Sequence, residues 1–264
     1  MNDKRKNFLT FVIVVGTCFL AILPKTGKSN PSAGDDIRIK NCTGPINKTN
    51  PDGGYIIDSI SGNAELKASG SIRIGRVEGS LAAITPIGDI DIGEVKGNLK
   101  AITKAGNVNI NKAYKHVFVE SALGEVVINS AKSVHVNNLF GGDVKVLDVS
   151  GYSKVMTRGN ILIVLNKGNS QAELCDLAST AGDITLYIPE NLGADIEIKI
   201  PLSEDPNREA RIESDFAFLK FKQRCQEKRI LILTTSINNG GGKIKFFIER
   251  GNIYIRSSRT ESSH

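Results

Sequence analysis

Gly70-Ser-Ile-Arg-Ile74, Gly88-Asp-Ile-Asp-Ile92, Gly106-Asn-Val-Asn-Ile110, Gly124-Glu-Val-Val-Ile128 and Gly142-Asp-Val-Lys-Val146 repeat one pattern at a constant spacing of eighteen residues. A sixth copy, Gly159-Asn-Ile-Leu-Ile163, comes one residue early. Gly182-Asp-Ile-Thr-Leu186 follows an insertion, and Gly251-Asn-Ile-Tyr-Ile255 returns near the end. Self-similarity at a fixed period marks a repeat architecture, in which one unit cannot bury its apolar face alone.

Each unit carries a second short strand about nine residues after the first, as in Gly79-Ser-Leu-Ala-Ala-Ile84, Gly97-Asn-Leu-Lys-Ala-Ile102 and Val117-Phe-Val119. A small apolar residue stands seven positions after each Gly: Val77, Val95, Ala113, Ala131 and Val149. Within a strand, alternation sends every second side chain to one face, so Ile72 and Ile74 point the same way. If the chain winds once per repeat, Ile74, Ile92, Ile110, Ile128 and Val146 form one column at the ~4.8 Å spacing of neighbouring strands. The pattern therefore predicts an all-β chain, a single-chain parallel β-solenoid (β-helix) with coils of about 18 residues. An antiparallel sandwich shares the short strands but has no need of identical register. A helical repeat is excluded by the density of Gly and β-branched residues, and a leucine-rich repeat by the missing Leu and Asn consensus.

Composition agrees with this reading. Among 264 residues, 40% are hydrophobic, with 26 Gly, 10 Phe, 5 Tyr and no Trp, which describes a narrow core of small and β-branched side chains. The formal charge of +6 is partly carried by Lys4, Arg5 and Lys6 and by the stretch from Lys220 to Arg229. The interleaving of aromatic and Arg residues that stacks bases is absent, so nucleic acid is not an expected partner.

Residues 1–27 read as an export segment, a signal peptide or an N-terminal membrane anchor. A basic start precedes an apolar run from Phe8 to Leu23, closed by Pro24. The run is long for a signal-peptide core and slightly short for a span of about 17–25 residues, so cleaved and uncleaved forms both stand. No small-x-small cleavage site follows, which favours an anchor through residues 8–23 with the basic end cytoplasmic and the body outside. Cys18 lies inside the apolar run and is poorly placed for lipidation. Leu23-Pro24-Lys25-Thr26-Gly27 spells a wall-sorting pentapeptide at the wrong end of the chain. Residues 28–52, rich in Ser, Pro, Gly, Asn and Asp, read as a flexible linker; residues 53–257 as the solenoid; residues 258–264 as a disordered tail. Beyond Cys18 only Cys42, Cys175 and Cys225 remain. Their long spacings rule out a zinc-site signature and leave open one disulfide or three isolated thiols. The sequons at Asn41 and Asn47 matter only in a glycosylating host.

The late region departs from the array. Ile188-Pro189-Glu190 ends a strand, because Pro cannot donate to a central ladder, and Ala194 to Ile200 alternates as another. Ser203 to Glu209 reads as an exposed loop. Phe216, Phe218 and Phe221 among Lys220, Lys222 and Arg224 read as a strand that closes the open end, with an amphipathic docking element as the alternative. Ile230–Leu233 and Lys243–Ile248 are final strands joined by a tight turn at Asn238-Asn-Gly-Gly-Gly242.

Tandem Gly-Asp/Asn-Ile/Val-x-Ile/Val strands lead into Gly182-Asp-Ile-Thr-Leu-Tyr-Ile-Pro189. Ile212-Glu-Ser-Asp-Phe216, Ile237-Asn-Asn-Gly-Gly-Gly242 and Gly251-Asn-Ile-Tyr-Ile255 follow in order. In this the chain resembles the adhesin-like family of bacterial β-strand-repeat surface proteins from about Gly53 to Arg256. The resemblance implies an extracytoplasmic or envelope-attached β-solenoid and brings no catalytic residues with it. The chain departs from that pattern in a slipped register around Ser133 to Leu139 and in the basic Lys220–Arg229 stretch.

Enzymatic solenoids set paired carboxylates at defined separation along one face. Asp89, Asp91, Asp143 and Asp183 come near one another in register, but Asp after Gly is a common turn residue. The outward positions Arg73, Asp91, Asn109, Val127 and Lys145 are too mixed for a catalytic ladder. His116, His135 and His264 show no ligand spacing, and no phosphate loop or nucleophile elbow occurs. The expectation is a non-catalytic surface protein without cofactor or metal. It would bind a surface glycan or protein, or another envelope component. A self-assembling polymer of the bactofilin type is the alternative, and a carbohydrate-active solenoid enzyme comes third.

Overall fold

Successive strands lie on one another, running parallel, with the eighteen-residue register preserved. The computed structural model describes residues 36–166, 173–202, 210–217, 222–226 and 230–258, all in strands and connecting turns. The export segment 1–27, the loop 203–209, Phe218, Lys220, Phe221 and residues 259–264 lie outside the described residues.

In chain order, β1 (Ile37–Cys42) and β2 (Ile46–Asn50) make the first coil, and β3 (Tyr55–Ile60) and β4 (Ala64–Ala68) the second. β5 (Ile72–Val77) with β6 (Leu81–Ile87) and β7 (Ile90–Val95) with β8 (Leu99–Ala105) follow. β9 (Val108–Leu123) and β10 (Val126–Asn138) each run through both sides of a coil without a break. β11 (Val144–Val149) with β12 (Ser153–Thr157) and β13 (Ile161–Leu165) with β14 (Glu173–Ser179) complete the regular stack. Ile74 pairs with Ile92, Ile92 with Ile110, Ile110 with Ile128 and Ile128 with Val146, all in parallel register. All five are buried, as are the small residues Val77, Val95, Ala113, Ala131 and Val149. Each aliphatic side chain so buried contributes about 1.5–3 kcal/mol relative to exposure, and only the stack provides that burial. The slip expected near Ser133 is a register shift between Ala131 and Ser133 where β10 pairs with β9.

The boundary of the solenoid is earlier than the composition suggests. Residues 37–50, within the stretch read as a linker, form the first described coil, so the stack already includes Ile37 and does not start at residue 53. Ile39, Cys42 and Ile46 point inward onto the second coil, and the Asn50 amide donates to the Gly54 carbonyl at 3.0 Å. The outward Lys, Asn and Thr of these strands create the linker-like composition. At the other end, Ser258 still belongs to a strand and is not part of a tail.

A second internal column is polar. Thr85, Thr103, Ser121, Asn138, Thr157 and Ser179 are buried in successive coils at one corner. Thr85 donates to the Gly70 carbonyl at 2.9 Å, Asn138 to that of Gly124 at 2.9 Å and Thr157 to that of Gly142 at 2.9 Å. These side chains satisfy carbonyls that the tight Gly corner turns away from the ladder, where an unmet buried acceptor costs about 1–3 kcal/mol. The corner needs glycine for space as well as conformation. Gly142 has φ +105, and a Cβ there would stand 1.9 Å from the Gly124 carbonyl oxygen.

Cys42 is disulfide-bonded, whereas Cys175 is a free, buried thiol whose pKa is pushed up by burial. Thiolate is the reactive form. We expect iodoacetamide to leave Cys175 unmodified in the native protein and to alkylate it on unfolding, read by peptide mapping. Rapid native labelling would contradict its inward placement.

The last strands do not stack in chain order. β15 (Ile184–Pro189) lies on β13, and β16 (Ala194–Pro201) lies one level beyond the place its position in the chain suggests. Then come β17 (Ile212–Ser214), β18 (Lys222–Gln226), β19 (Ile230–Ile237), β20 (Gly242–Ile248) and β21 (Ile253–Ser258). β20 is intercalated, parallel to both, between β14 and β16. β21 fits between β15 and β17. β19 and β18 continue antiparallel beyond β16 and close this side of the stack. The end is therefore capped by a hairpin, with Phe216 partly buried against the core. Between β19 and β20 the chain crosses the start of β16 through Asn238 (φ 47), Asn239 (φ 68), Gly240 (φ 81) and Gly241 (φ 155). That crossing is so close that a Cβ on Gly193 would stand 2.2 Å from the Gly240 carbonyl oxygen.

Candidate ligand-binding groove

The turn joining the two sides of each coil is built on a side-chain ladder. The Asn63 side-chain oxygen accepts the backbone N–H of Ser80 at 2.8 Å, Ser80 Oγ that of Asn98 at 3.1 Å, and the Asn98 oxygen that of His116 at 3.4 Å. Each residue thus fixes the turn of the coil above it. Beside this row the chain enters the second strand, and the step between turn and strand forms a groove along the solenoid axis. It runs from Pro45 to Tyr152, encloses about 1010 Å³, and is floored by Ile46, Ala64, Leu81, Leu99, Val117 and Val134. Seven coils, six steps of ~4.8 Å, give it a length of roughly 29 Å.

Its two halves differ in chemistry. Toward the first coils the walls are Asn47, Asn63, Glu65, Ser80 and Ala82. Toward the later coils they are Lys100, His116, Phe118, Ser133, His135 and Tyr152. Phe118 and His135 meet edge to face, ring centroids 5.3 Å apart, and Lys100 Nζ stands 5.8 Å from the Phe118 centroid. His116 Nδ1 is hydrogen-bonded to Ser133 Oγ. Burial first, then the Asp176 carboxylate, raise the pKa of Tyr152, so its phenol stays neutral and able to donate. Rings on such a platform bind apolar faces of a ligand, while the amides, imidazoles and phenol bind its hydroxyls.

The acids weighed as a catalytic face are placed otherwise. Asp89, Asp143 and Asp183 sit in the Gly corner, where their side chains accept the backbone N–H of Asn107 at 2.7 Å, Asn160 at 3.0 Å and Asn252 at 2.7 Å. Asp91 lies on the opposite outer face, bonded to Arg73 at 3.2 Å and to the Asn109 amide at 2.9 Å. Each thus holds neighbouring coils together. His116 and His135, seventeen and more residues from any partner in sequence, come to adjacent coils in the groove. No group of three or more His, Cys, Asp or Glu suited to a metal ion occurs among the described residues. The Ser133–His116 pair has a nucleophile next to a base, and His116 makes no hydrogen bond to a carboxylate among the described residues.

Sequence reasoning missed the groove because each coil supplies at most three of its residues, and none forms a local motif. The available signal was the row Lys100, Phe118, His135, spaced eighteen and seventeen residues apart. Along another corner, Ile87, Leu123, Leu139 and Phe140 form an exposed apolar ridge, with Ile87 68% and Phe140 66% accessible. Such contiguous patches mark contact surfaces. Comparison of the chain with models of known protein families, with curated proteins and with solved structures finds no match.

Proposed function

We propose that this chain is a non-catalytic, adhesin-like binding module of the cell envelope, exported or tethered by its N-terminal apolar segment, that takes an extended surface glycan along the axial groove. The observation that carries the reading is the groove itself: a trough with amides at one end and an aromatic and imidazole platform at the other. A linear chain of sugar rings presents alternating hydroxyl edges and apolar faces, which suits both halves. The rigid stack preorganises the trough and reduces the ordering cost of binding. The Cys42 disulfide fits an oxidising compartment and thus supports export, as does the basic and apolar start of the chain.

The test is glycan-array binding followed by titration with the best ligand. Phe118→Ala together with His135→Ala removes the platform, and loss of an anchor worth more than about 1.4 kcal/mol weakens binding roughly tenfold or more. The melting temperature should hardly change, since both rings project outward. Unchanged affinity in the double variant would move the site elsewhere. Turnover of envelope polysaccharide that vanishes in Asp89→Ala/Asp91→Ala would replace binding by catalysis. Filaments of the purified body under negative stain would favour the polymer reading. Fractionation with amino-terminal sequencing tests the location and the fate of residues 1–27.

A further inference from the structure

The level occupied by β20 is prepared for a strand that arrives late. β14 and β16 are both complete in the chain before β20 is reached, and without β20 the next position for β16 would be directly on β14. Charge disfavours that arrangement. The outward residues of β14 at this level are Glu173 and Asp176, and those of β16 are Asp195 and Glu197. The intervening strand presents Lys243 between Glu173 and Asp195, and Lys245 between Asp176 and Glu197. Lys245 Nζ also reaches Glu173 at 3.0 Å. Carboxylates directly opposite one another on neighbouring strands repel, whereas opposite charges attract. On the inward side, Cys175, Ile244 and Ile196 share one column and Leu177, Phe246 and Ile198 another, all buried. The slot thus specifies a strand with basic residues outward and bulky apolar residues inward, and Lys243-Ile-Lys-Phe-Phe-Ile248 meets both demands.

We infer that the slot between β14 and β16 is an exchange site, filled by β20 of the same chain or by β20 of a second copy, with β21 following it to its place between β15 and β17, so that the protein forms strand-swapped dimers. The partner in either case is the same sequence, and the contacts in the slot are identical. What differs is the link at Asn238–Gly241, which in one chain must fold tightly over the start of β16, with Gly193 and Gly240 in close approach. Opening that link gives up the bonds of the Asn238 amide to the Glu190 and Leu192 carbonyls and of the Gly240 N–H to the Ile237 carbonyl, but loses no ladder hydrogen bond once the strand is seated in its partner. Exchange of an identical element is a low-cost route to dimers, and a reciprocal exchange closes with two-fold symmetry. The slot touches the axial groove only at its last coil, where Asp176 acts on Tyr152, and the Phe118–His135 platform lies on earlier coils, so failure of the exchange leaves the binding proposal untouched.

Two charge-reversed full-length chains test the inference. In the first, the slot is reversed by Glu173→Lys, Asp176→Lys, Asp195→Lys and Glu197→Lys. In the second, the strand is reversed by Lys243→Glu and Lys245→Glu. Each alone opposes like charges and is expected to lose at least tenfold in hydrogen-exchange protection of the Ile244–Ile248 amides. Refolded together, they should yield a one-to-one heterodimer by native mass spectrometry, with protection restored. The chain that carries both sets of reversals should be a protected monomer at low concentration. It should yield dimers when refolded at high concentration, as should the unaltered chain. The inference is overturned if the single-set chains keep full protection alone. It is equally overturned if the mixture holds no heterodimer, or if the combined chain is unprotected, because charge alternation would then not be what the slot reads.

Discussion

Ile92→Asp is expected to unfold the central coils, with a loss of more than about 4 kcal/mol, because an ionised carboxylate in a dry aliphatic column has no partner and no water. Ile92 is 3% exposed and pairs with Ile74 below and Ile110 above. The effect reaches beyond one coil, since each level is held only by its neighbours and a break propagates in both directions. Its neighbour in sequence provides the control. Asp91 lies on the outer face, bonded to the exposed Arg73 and to Asn109, so Asp91→Ala should change stability within about 0.5 kcal/mol. Chemical denaturation of the two variants gives the comparison. Midpoints that agree with one another would mean that the inward and outward faces are exchanged.

Gly142→Ala should have the second largest effect, on the order of 2–4 kcal/mol. Two demands meet at this residue: a positive φ of +105 and a gap to the Gly124 carbonyl oxygen that a Cβ would narrow to 1.9 Å. The adjacent Gly141 separates them, because it too has a positive φ, +140, but nothing within 4 Å of its would-be Cβ. Gly141→Ala thus measures conformational strain alone, about 1 kcal/mol. The difference between the two measures the cost of forcing neighbouring coils apart. Equal losses would show that the corner is governed by backbone conformation and not by the approach of one coil to the next.

How far the sequence foretells this structure depends on whether a feature repeats. Ile74, Ile92, Ile110, Ile128 and Val146 recur in strict register, and that periodicity is sufficient to place them on one another. The first coil escaped notice because Ile39, Cys42 and Ile46 are separated by Lys40, Asn41 and the turn at Thr43-Gly44-Pro45, a composition shared by linkers. The inward placement of Thr85, Thr103 and Ser121 leaves no mark in the sequence, since a hydroxyl gives no sign of direction until the carbonyl it must satisfy is known. The groove draws Lys100, Phe118 and His135 from different coils, and only the turn-to-strand step joins them. Intercalation of β20 was the least legible, because pairing with β14 joins residues as distant as Glu173 and Lys243. Its trace in the sequence is the sign of charge on alternate residues: acidic at Asp195 and Glu197, basic at Lys243 and Lys245.

Placing a late strand in an inner level has a consequence for biosynthesis. A nascent chain can assemble its early coils as they emerge, each new winding resting on the last, yet the level between β14 and β16 stays vacant until β20 is delivered. Release at Ile237 would leave a gap lined by four carboxylates, open to solvent and to proteolysis. Only a β20 strand seals it, so the stack itself records whether synthesis has passed Ile248.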